Sequence, residues 1–413
     1  AYCVSRHRVQ EQMKALLAVS ILPLAGMALA DAGGGHDMQQ MWQKSLARAP
    51  LAVGVAFAPD GRLWRADVRQ GVIELAASDD FGQHFAAPIK VNATAEAIAA
   101  DGENRPQLVF GPQGEIGVGW TQSLPQPFSG HARFSWSRDG GKSWSTPQTI
   151  NDDAAPISHR FVVLDWSSKG LTAVWLDARD KTAAKAKKHD YRGSALYSAA
   201  FDPASGRFGA NRKLADYSCE CCRVALAHDP DGTPVALWRH VFPGNIRDHA
   251  LQRLDGASPL QRVSFDQWQI DACPHHGPSL SIAGNGTRHL VWFNQGRAPQ
   301  MLFYGRMAAG SDKPADVVGI GNPDAQAAHP AVLAAEQRVL LAWKEFDGKQ
   351  SAIRVQQSAD GGKSWSAPRT GLAGAGQSDH PQLLRWQQRV FLIWNMAEGG
   401  LKVVELSPLS AEH

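Results

Sequence analysis

Apolar and polar positions along this chain fall into a repeated unit: an apolar strand, a turn, and a second strand that ends in tryptophan. The unit runs from Leu108-Val109-Phe110 to Trp120, from Val162-Val163-Leu164 to Trp175, and from Ala225-Leu226-Ala227 to Trp238. It recurs from Leu280-Ser281-Ile282 to Trp292, from Val332-Leu333-Ala334 to Trp343, and from Leu383-Leu384-Arg385 to Trp394, and a weaker copy from Val55-Ala56-Phe57 to Trp64 opens the series. Aligned starts at Ala52, Arg105, His159, Arg223, Gly277, His329 and His380 are 53, 54, 64, 54, 52 and 51 residues apart, the length of one four-stranded antiparallel blade. The pattern predicts an all-β propeller of seven blades, or six if the Ala52 unit is false, with an insertion in the third blade. The last unit runs out after its third strand, Leu401-Lys402-Val403-Val404-Glu405-Leu406. Met41-Trp42-Gln43-Lys44-Ser45-Leu46 is expected to supply the missing strand, closing the ring by pairing the two ends of the chain.

Superimposed on this ladder are three turns with one consensus, Ser-x-Asp-x-Gly-x-x-aromatic. They are Ser137-Arg138-Asp139-Gly140-Gly141-Lys142-Ser143-Trp144, Ser358-Ala359-Asp360-Gly361-Gly362-Lys363-Ser364-Trp365 and the looser Ser78-Asp79-Asp80-Phe81-Gly82-Gln83-His84-Phe85. In such a turn the Asp carboxylate accepts from turn amides, Gly supplies a positive φ, and the ring fills the gap between neighbouring sheets. The motif resembles that of the Asp-box (bacterial neuraminidase repeat) β-propellers, which include sialidases. These turns are expected on the face away from the strand lead-ins.

The N-terminus reads as a targeting segment, with Met13-Lys14, an apolar run from Ala15 to Leu29, and Ala28-Leu29-Ala30 before Asp31 in the pattern of a signal-peptidase site. Residues 1–30 are therefore assigned to a signal peptide with an upstream extension, and 31–413 to one propeller domain that is periplasmic or secreted. No further segment is long and apolar enough to span a bilayer. A net charge of +3 is nearly neutral for this length and indicates neither nucleic acid nor a membrane surface as partner. Lysines 181, 185, 187 and 188 lie in the third-blade insertion, where a solvated loop accounts for them.

Candidate chemistry gathers at one face. Beyond Cys3 the four cysteines are Cys219, Cys221, Cys222 and Cys273, in Cys219-Glu220-Cys221-Cys222 and Cys273-Pro274-His275-His276, ending just before the fourth and fifth units. Clustered cysteines in an exported chain read either as disulfides or, with His275 and His276, as ligands for copper or zinc. The lead-ins to the units carry Arg105, His159, Arg223, His276, His329 and His380, with Asp379 beside the last. Strand periodicity gives no reason for basic and imidazole groups at corresponding places around a channel mouth. His159, His329, His380 and Asp379 are therefore candidate ligand-binding residues, and the fourth-blade loop adds His240 and Asn245 to His249 nearby.

The sialidase resemblance implies an exo-acting glycoside hydrolase on acidic glycans, with three arginines clamping a carboxylate, a Tyr nucleophile activated by Glu, and an Asp acid/base. Arg105, Arg223, Arg239, Arg247 and Arg297 are the arginines available for it, and Tyr304 is a weak candidate nucleophile. The family's Phe/Tyr-Arg-Ile-Pro motif is absent, and the nearest stretches are Asn104-Arg105-Pro106-Gln107-Leu108 and His276-Gly277-Pro278-Ser279-Leu280. Three functions follow in order: a metal-linked, copper-first, or small-ligand-binding propeller; a sialidase-like hydrolase; and an interaction platform stapled by disulfides.

Overall fold

The computed structural model describes residues 50–406. The apolar leader and the closing strand expected at Met41–Leu46 lie outside that range. Seven antiparallel sheets succeed one another along the chain. Their innermost strands are Gly54–Phe57, Gln107–Phe110, His159–Ser167, Ala225–His228, Ser279–Ile282, Ala328–Ala335 and Gln382–Trp386. Each innermost strand meets those of its two neighbours, and the first also meets the seventh, so the sheets form a ring. Seven blades are present, and the Ala52 unit is real. Among the described residues the seventh blade has three strands, ending at Gly400–Glu405.

The core is distributed between blades rather than within them. Phe134 and Ile150 of the second blade pack with Leu164 and Trp175 of the third, and Leu237 and Leu251 of the fourth with Leu280 and Trp292 of the fifth. Val53 and Val55 of the first blade pack with Phe391 and Ile393 of the seventh. Each sheet is thus covered on both faces, which is why its strands are nearly continuous apolar runs. Closure is reinforced by hydrogen bonds from Gln382 Nε2 to Val53 O (3.0 Å) and from Asn395 Nδ2 to Leu51 O (2.8 Å).

The tryptophan ladder holds in six blades. Gln107 pairs with Gly119, Ala225 with Leu237, Ser279 with Val291, Ala331 with Ala342 and Gln382 with Ile393, and tryptophan follows each partner. Trp120, Trp175, Trp238, Trp292, Trp343 and Trp394 are all fully buried. Five of the six indole N–H groups find acceptors, among them Trp120 on Glu96, Trp292 on Asp266 and Trp343 on Glu345, each at 2.8 Å, while Trp238 Nε1 has none. The first blade departs from the rule. Gly54 pairs with Ala66, so the equivalent position is Asp67, and Trp64 is buried from three residues earlier in the strand.

A second shift affects the third blade, where a bulge between Arg160 and Val163 moves the register by one. Val163 pairs with Val174, and the residue equivalent to Arg105, Arg223, His329 and His380 is therefore Phe161, not His159. The insertion of that blade contains the α-helix Arg179–Ala186. No helix among the described residues is long and apolar enough to cross a membrane.

The three Ser-x-Asp-x-Gly turns share one hydrogen-bond pattern. Ser137 Oγ donates to Asp139 Oδ1 (2.7 Å) and accepts from Gly141 N (2.8 Å), while Ser143 N donates to Asp139 Oδ1 (2.9 Å). The same bonds recur from Ser358 to Ser364 and from Ser78 to His84. Gly141, Gly362 and Gly82 take φ of 90°, 86° and 89°. A Cβ at Gly362 would also fall 1.9 Å from the Tyr304 hydroxyl oxygen of the preceding blade, so the turn and its neighbour are fitted together.

Because Trp343 joins the cluster shared by the fifth and sixth blades, Trp343→Ala is expected to cost about 3–5 kcal/mol. Urea unfolding of the two proteins side by side measures that loss, and a loss below about 1 kcal/mol would contradict the packing described.

Candidate functional site

Antiparallel blades place the lead-ins to the first strands and the loops between second and third strands at one end of the ring. Its centre is a residue that the repeat pattern does not flag, Glu103, two positions before Arg105. Glu103 is 5% exposed, and its Oε2 accepts the backbone N–H of Arg223 (2.9 Å) and of Gly277 (2.7 Å). Its Oε1 forms a close ion pair with the Arg223 guanidinium and lies 3.6 Å from His329 Nδ1 and 3.5 Å from His380 Nδ1. Burial by itself would raise the Glu103 pKa, but the Arg223 charge together with His329 and His380 outweighs it and holds the carboxyl well below its usual value.

Three imidazoles stack over this carboxylate. The His329 and His380 rings are 3.5 Å apart between centroids, His276 follows at 4.4 Å, and Phe293 covers its other face at 4.0 Å. Desolvation lowers all three pKa values, that of His276 to about 3, so the rings are neutral at pH 7. Asp379, completely enclosed, takes a forked pair from Arg105 at 3.0 and 3.1 Å. It also accepts the His380 backbone N–H at 2.7 Å. Glu103, Arg105, Arg223 and His380 line a central cavity of about 310 Å³.

Sulfur chemistry lies beside this cluster. Cys219, Cys221 and Cys222 are buried, with Cys219 Sγ 3.8 Å from Cys221 Sγ and 3.4 Å from Cys222 Sγ. The Cys219 N–H is tied to Arg239 O (2.9 Å), which fixes the start of the segment. The next loop brings Cys273, exposed, and His275 to Cys221, with their ligating atoms within 4.8 Å of one another. No disulfide links any described cysteine. S–H donation from Cys221 and then Cys222 lowers the Cys219 pKa strongly, while burial first of all pushes Cys222 up to about 12. Lys181 of the inserted helix is not simply solvated, since it pairs with Glu220 at 2.6 Å within the cysteine motif.

The residues singled out in the sequence thus separate into groups. His276 belongs with His329 and His380 rather than with the thiols. His159 forms a different buried cluster, with its Nδ1 3.0 Å from Asp177 and its Nε2 3.9 Å from Asp153. The arginines do not converge as a triad. Arg105 and Arg223 are neutralised by Asp379 and Glu103, and the buried Arg239 donates to the carbonyls of Arg247 (3.1 Å), His276 (3.0 Å) and Phe293 (2.6 Å). Arg247 donates to Asn245 at 3.2 Å, and Arg297 pairs with Asp266 at 3.0 Å. Tyr304 lies in the core between the fifth and sixth blades with its hydroxyl 2.8 Å from His289 Nδ1, out of reach of the mouth.

No protein-family model and no curated protein matches the chain. Among solved structures it is similar to the polysaccharide lyase Uly1, with TM-score 0.53 and 10% identity over 88% of this chain and 91% of that one. It is also similar to an ulvan lyase of polysaccharide lyase family PL25 bound to -[GlcA(1-4)Rha3S]-, with TM-score 0.54 and 10% identity over 86% and 94%. At such identity the likeness shows a shared β-propeller fold.

Removing Arg223 would leave the Glu103 charge buried and unpaired, so Arg223→Met is expected to destabilise by about 3–5 kcal/mol. The double variant Arg223→Met/Glu103→Gln should recover part of that loss in a denaturant double-mutant cycle, and additive losses would contradict the pairing. Burial lowers the His289 pKa from 6.5 to about 4 in the folded chain. The unfolded state therefore binds the proton more readily, and the stability His289 supplies is complete above pH 6.5 and lost as the pH falls towards 4. His289→Gln is expected to reduce the slope of unfolding free energy between pH 6 and 5 by about 1.4 kcal/mol per pH unit, measured by urea titration.

Proposed function

We propose that the protein, once exported, binds a soft metal ion through Cys219, Cys221 and Cys222, with Cys273 and His275 completing the donor set. Copper(I) is the first choice and zinc(II) the second. The observation that carries this reading is three buried thiols aimed at one another with no disulfide among them. Thiols are weak hydrogen-bond partners, so mutual contact alone is little reason to bury three of them together. A metal–sulfur bond of about 2.3 Å at a tetrahedral angle places two sulfurs about 3.8 Å apart. The sulfur separations of 3.8 and 3.4 Å are close to that figure. S–H donation from Cys221 and Cys222, with a smaller contribution from the Arg239 charge, favours thiolate at Cys219, the form that ligates.

A second reading is a glycan ligand at the channel mouth, supported by the central cavity and by the lyases that share the fold. The sialidase-like form of that reading is disfavoured, because Arg105 and Arg223 are already bound to Asp379 and Glu103 and Tyr304 is enclosed.

Metal analysis of protein isolated without added chelator or reductant is expected to find about one copper or zinc per chain, released by Cys222→Ser. Wild-type protein that holds no metal, fails to take up copper(I), and contains two disulfides would overturn the metal reading in favour of a covalent staple. Calorimetry with acidic oligosaccharides tests the glycan reading separately.

A further inference from the structure

The sulfur site does not account for the stacked imidazoles at the propeller axis. We propose a second metal site there, in which Glu103, His329 and His380 hold a divalent ion of the zinc(II)/copper(II) class through nitrogen and oxygen donors.

Three chain segments far apart in sequence deliver these donors to one point, ahead of the second, sixth and seventh blades. Their ligating atoms all lie within 4.8 Å of one another. The two imidazole nitrogens stand 3.6 and 3.5 Å from Glu103 Oε1, beyond the range of a good hydrogen bond. His380 Nδ1 is buried and has no hydrogen-bond partner. Burying such groups unsatisfied costs free energy, so a purely structural plug would be expected to close these gaps. Two donors each about 2.1 Å from a tetrahedral ion are themselves about 3.4 Å apart, close to the spacing found here.

Surrounding groups hold the donors in position. Gly277 N and Arg223 N both donate to Glu103 Oε2, which aims Oε1 at the imidazoles. Arg223 also occupies Oε1, but a carboxylate oxygen has a second lone pair for an ion. The His276 ring is wedged between His329 and Phe293, so it positions the His329 ring by packing.

Donor chemistry separates this site from the sulfur site. Thiolates favour copper(I), whereas two imidazoles and a carboxylate suit a borderline divalent ion. The adjacent residues His275 and His276 send one ring to each.

Cobalt(II) titration of the metal-free full chain distinguishes the two sites in one experiment. Thiolate ligation gives strong near-ultraviolet charge transfer, while nitrogen and oxygen ligation gives only weak visible d–d bands. Two equivalents are expected, one with charge transfer and one without, both displaced by zinc(II). His329→Gln or His380→Gln should abolish the second and leave the first, and Cys222→Ser should do the reverse. Loss of charge transfer alone in wild-type protein would remove the sulfur reading and leave this one standing. A wild-type chain that binds cobalt only with charge transfer would overturn the proposal, as would an unchanged second equivalent in both histidine variants. Should the variants not fold, zinc protection of His329 and His380 against diethylpyrocarbonate in wild-type protein decides it, and equal modification with and without zinc sinks the idea.

Discussion

Each sheet of this protein is apolar on both faces, and that constraint governs everything else. Such a sheet is stable only between two neighbours, so the set must continue until it meets itself. Val53 and Val55 packing on Phe391 and Ile393 are where it does. Once the ring is closed, the seven lead-ins have nowhere to go but the axis, and whatever residues they carry must share one small volume. Function here is therefore a consequence of topology: side chains from blades hundreds of residues apart become neighbours without any local motif joining them.

That crowding has an electrostatic cost, which the structure offsets locally. Glu103 and Asp379 are both enclosed, and each is matched by one arginine, Arg223 and Arg105, drawn from a different blade. These pairs also tie non-adjacent parts of the ring together, as Arg239 does by donating to three carbonyls between the fourth and fifth blades. Arginines that looked like free substrate clamps are thus consumed by the architecture. The imidazoles are the groups left over, buried, neutral and poorly hydrogen-bonded. A polar cluster left in that state is more readily understood as a binding site than as a packing device.

Much of this was legible in the sequence because it repeats. The spacing of the tryptophans gave the blade count, and the third-blade insertion showed as one long interval. Where repetition failed, so did the reading. Asp67 occupies the tryptophan position of the first blade, and the bulged pairing of the third blade puts Phe161, two residues after His159, at the lead-in position. Both are register effects, which a pattern of apolar residues does not resolve to the single residue. Glu103 was missed for a different reason: it occurs once, in Asp101-Gly102-Glu103-Asn104, and stands outside the aligned lead-ins. A carboxylate among so many basic lead-ins was nonetheless the signal, since converging cations and imidazoles need an anion at their centre. Tyr304 was doubtful in the sequence because its strand position suggested packing, and the core contact with His289 and Trp365 is of that kind.

The dipeptide His275-His276 shows how finely the two clusters are divided. His275 is at φ 53°, in the left-handed region that few residues other than glycine enter but that histidine enters more often than most. That backbone turn is what lets one ring lie with Cys221 and Cys273 while the next enters the stack on His329. Arg239 donates to the His276 carbonyl at 3.0 Å. The Cys219 pKa falls chiefly through S–H donation from Cys221 and Cys222 and to a smaller extent through the Arg239 charge, so one buried guanidinium meets both clusters. Arg239 thus stands between the clusters, its side chain on the His276 carbonyl and its own carbonyl on the Cys219 N–H.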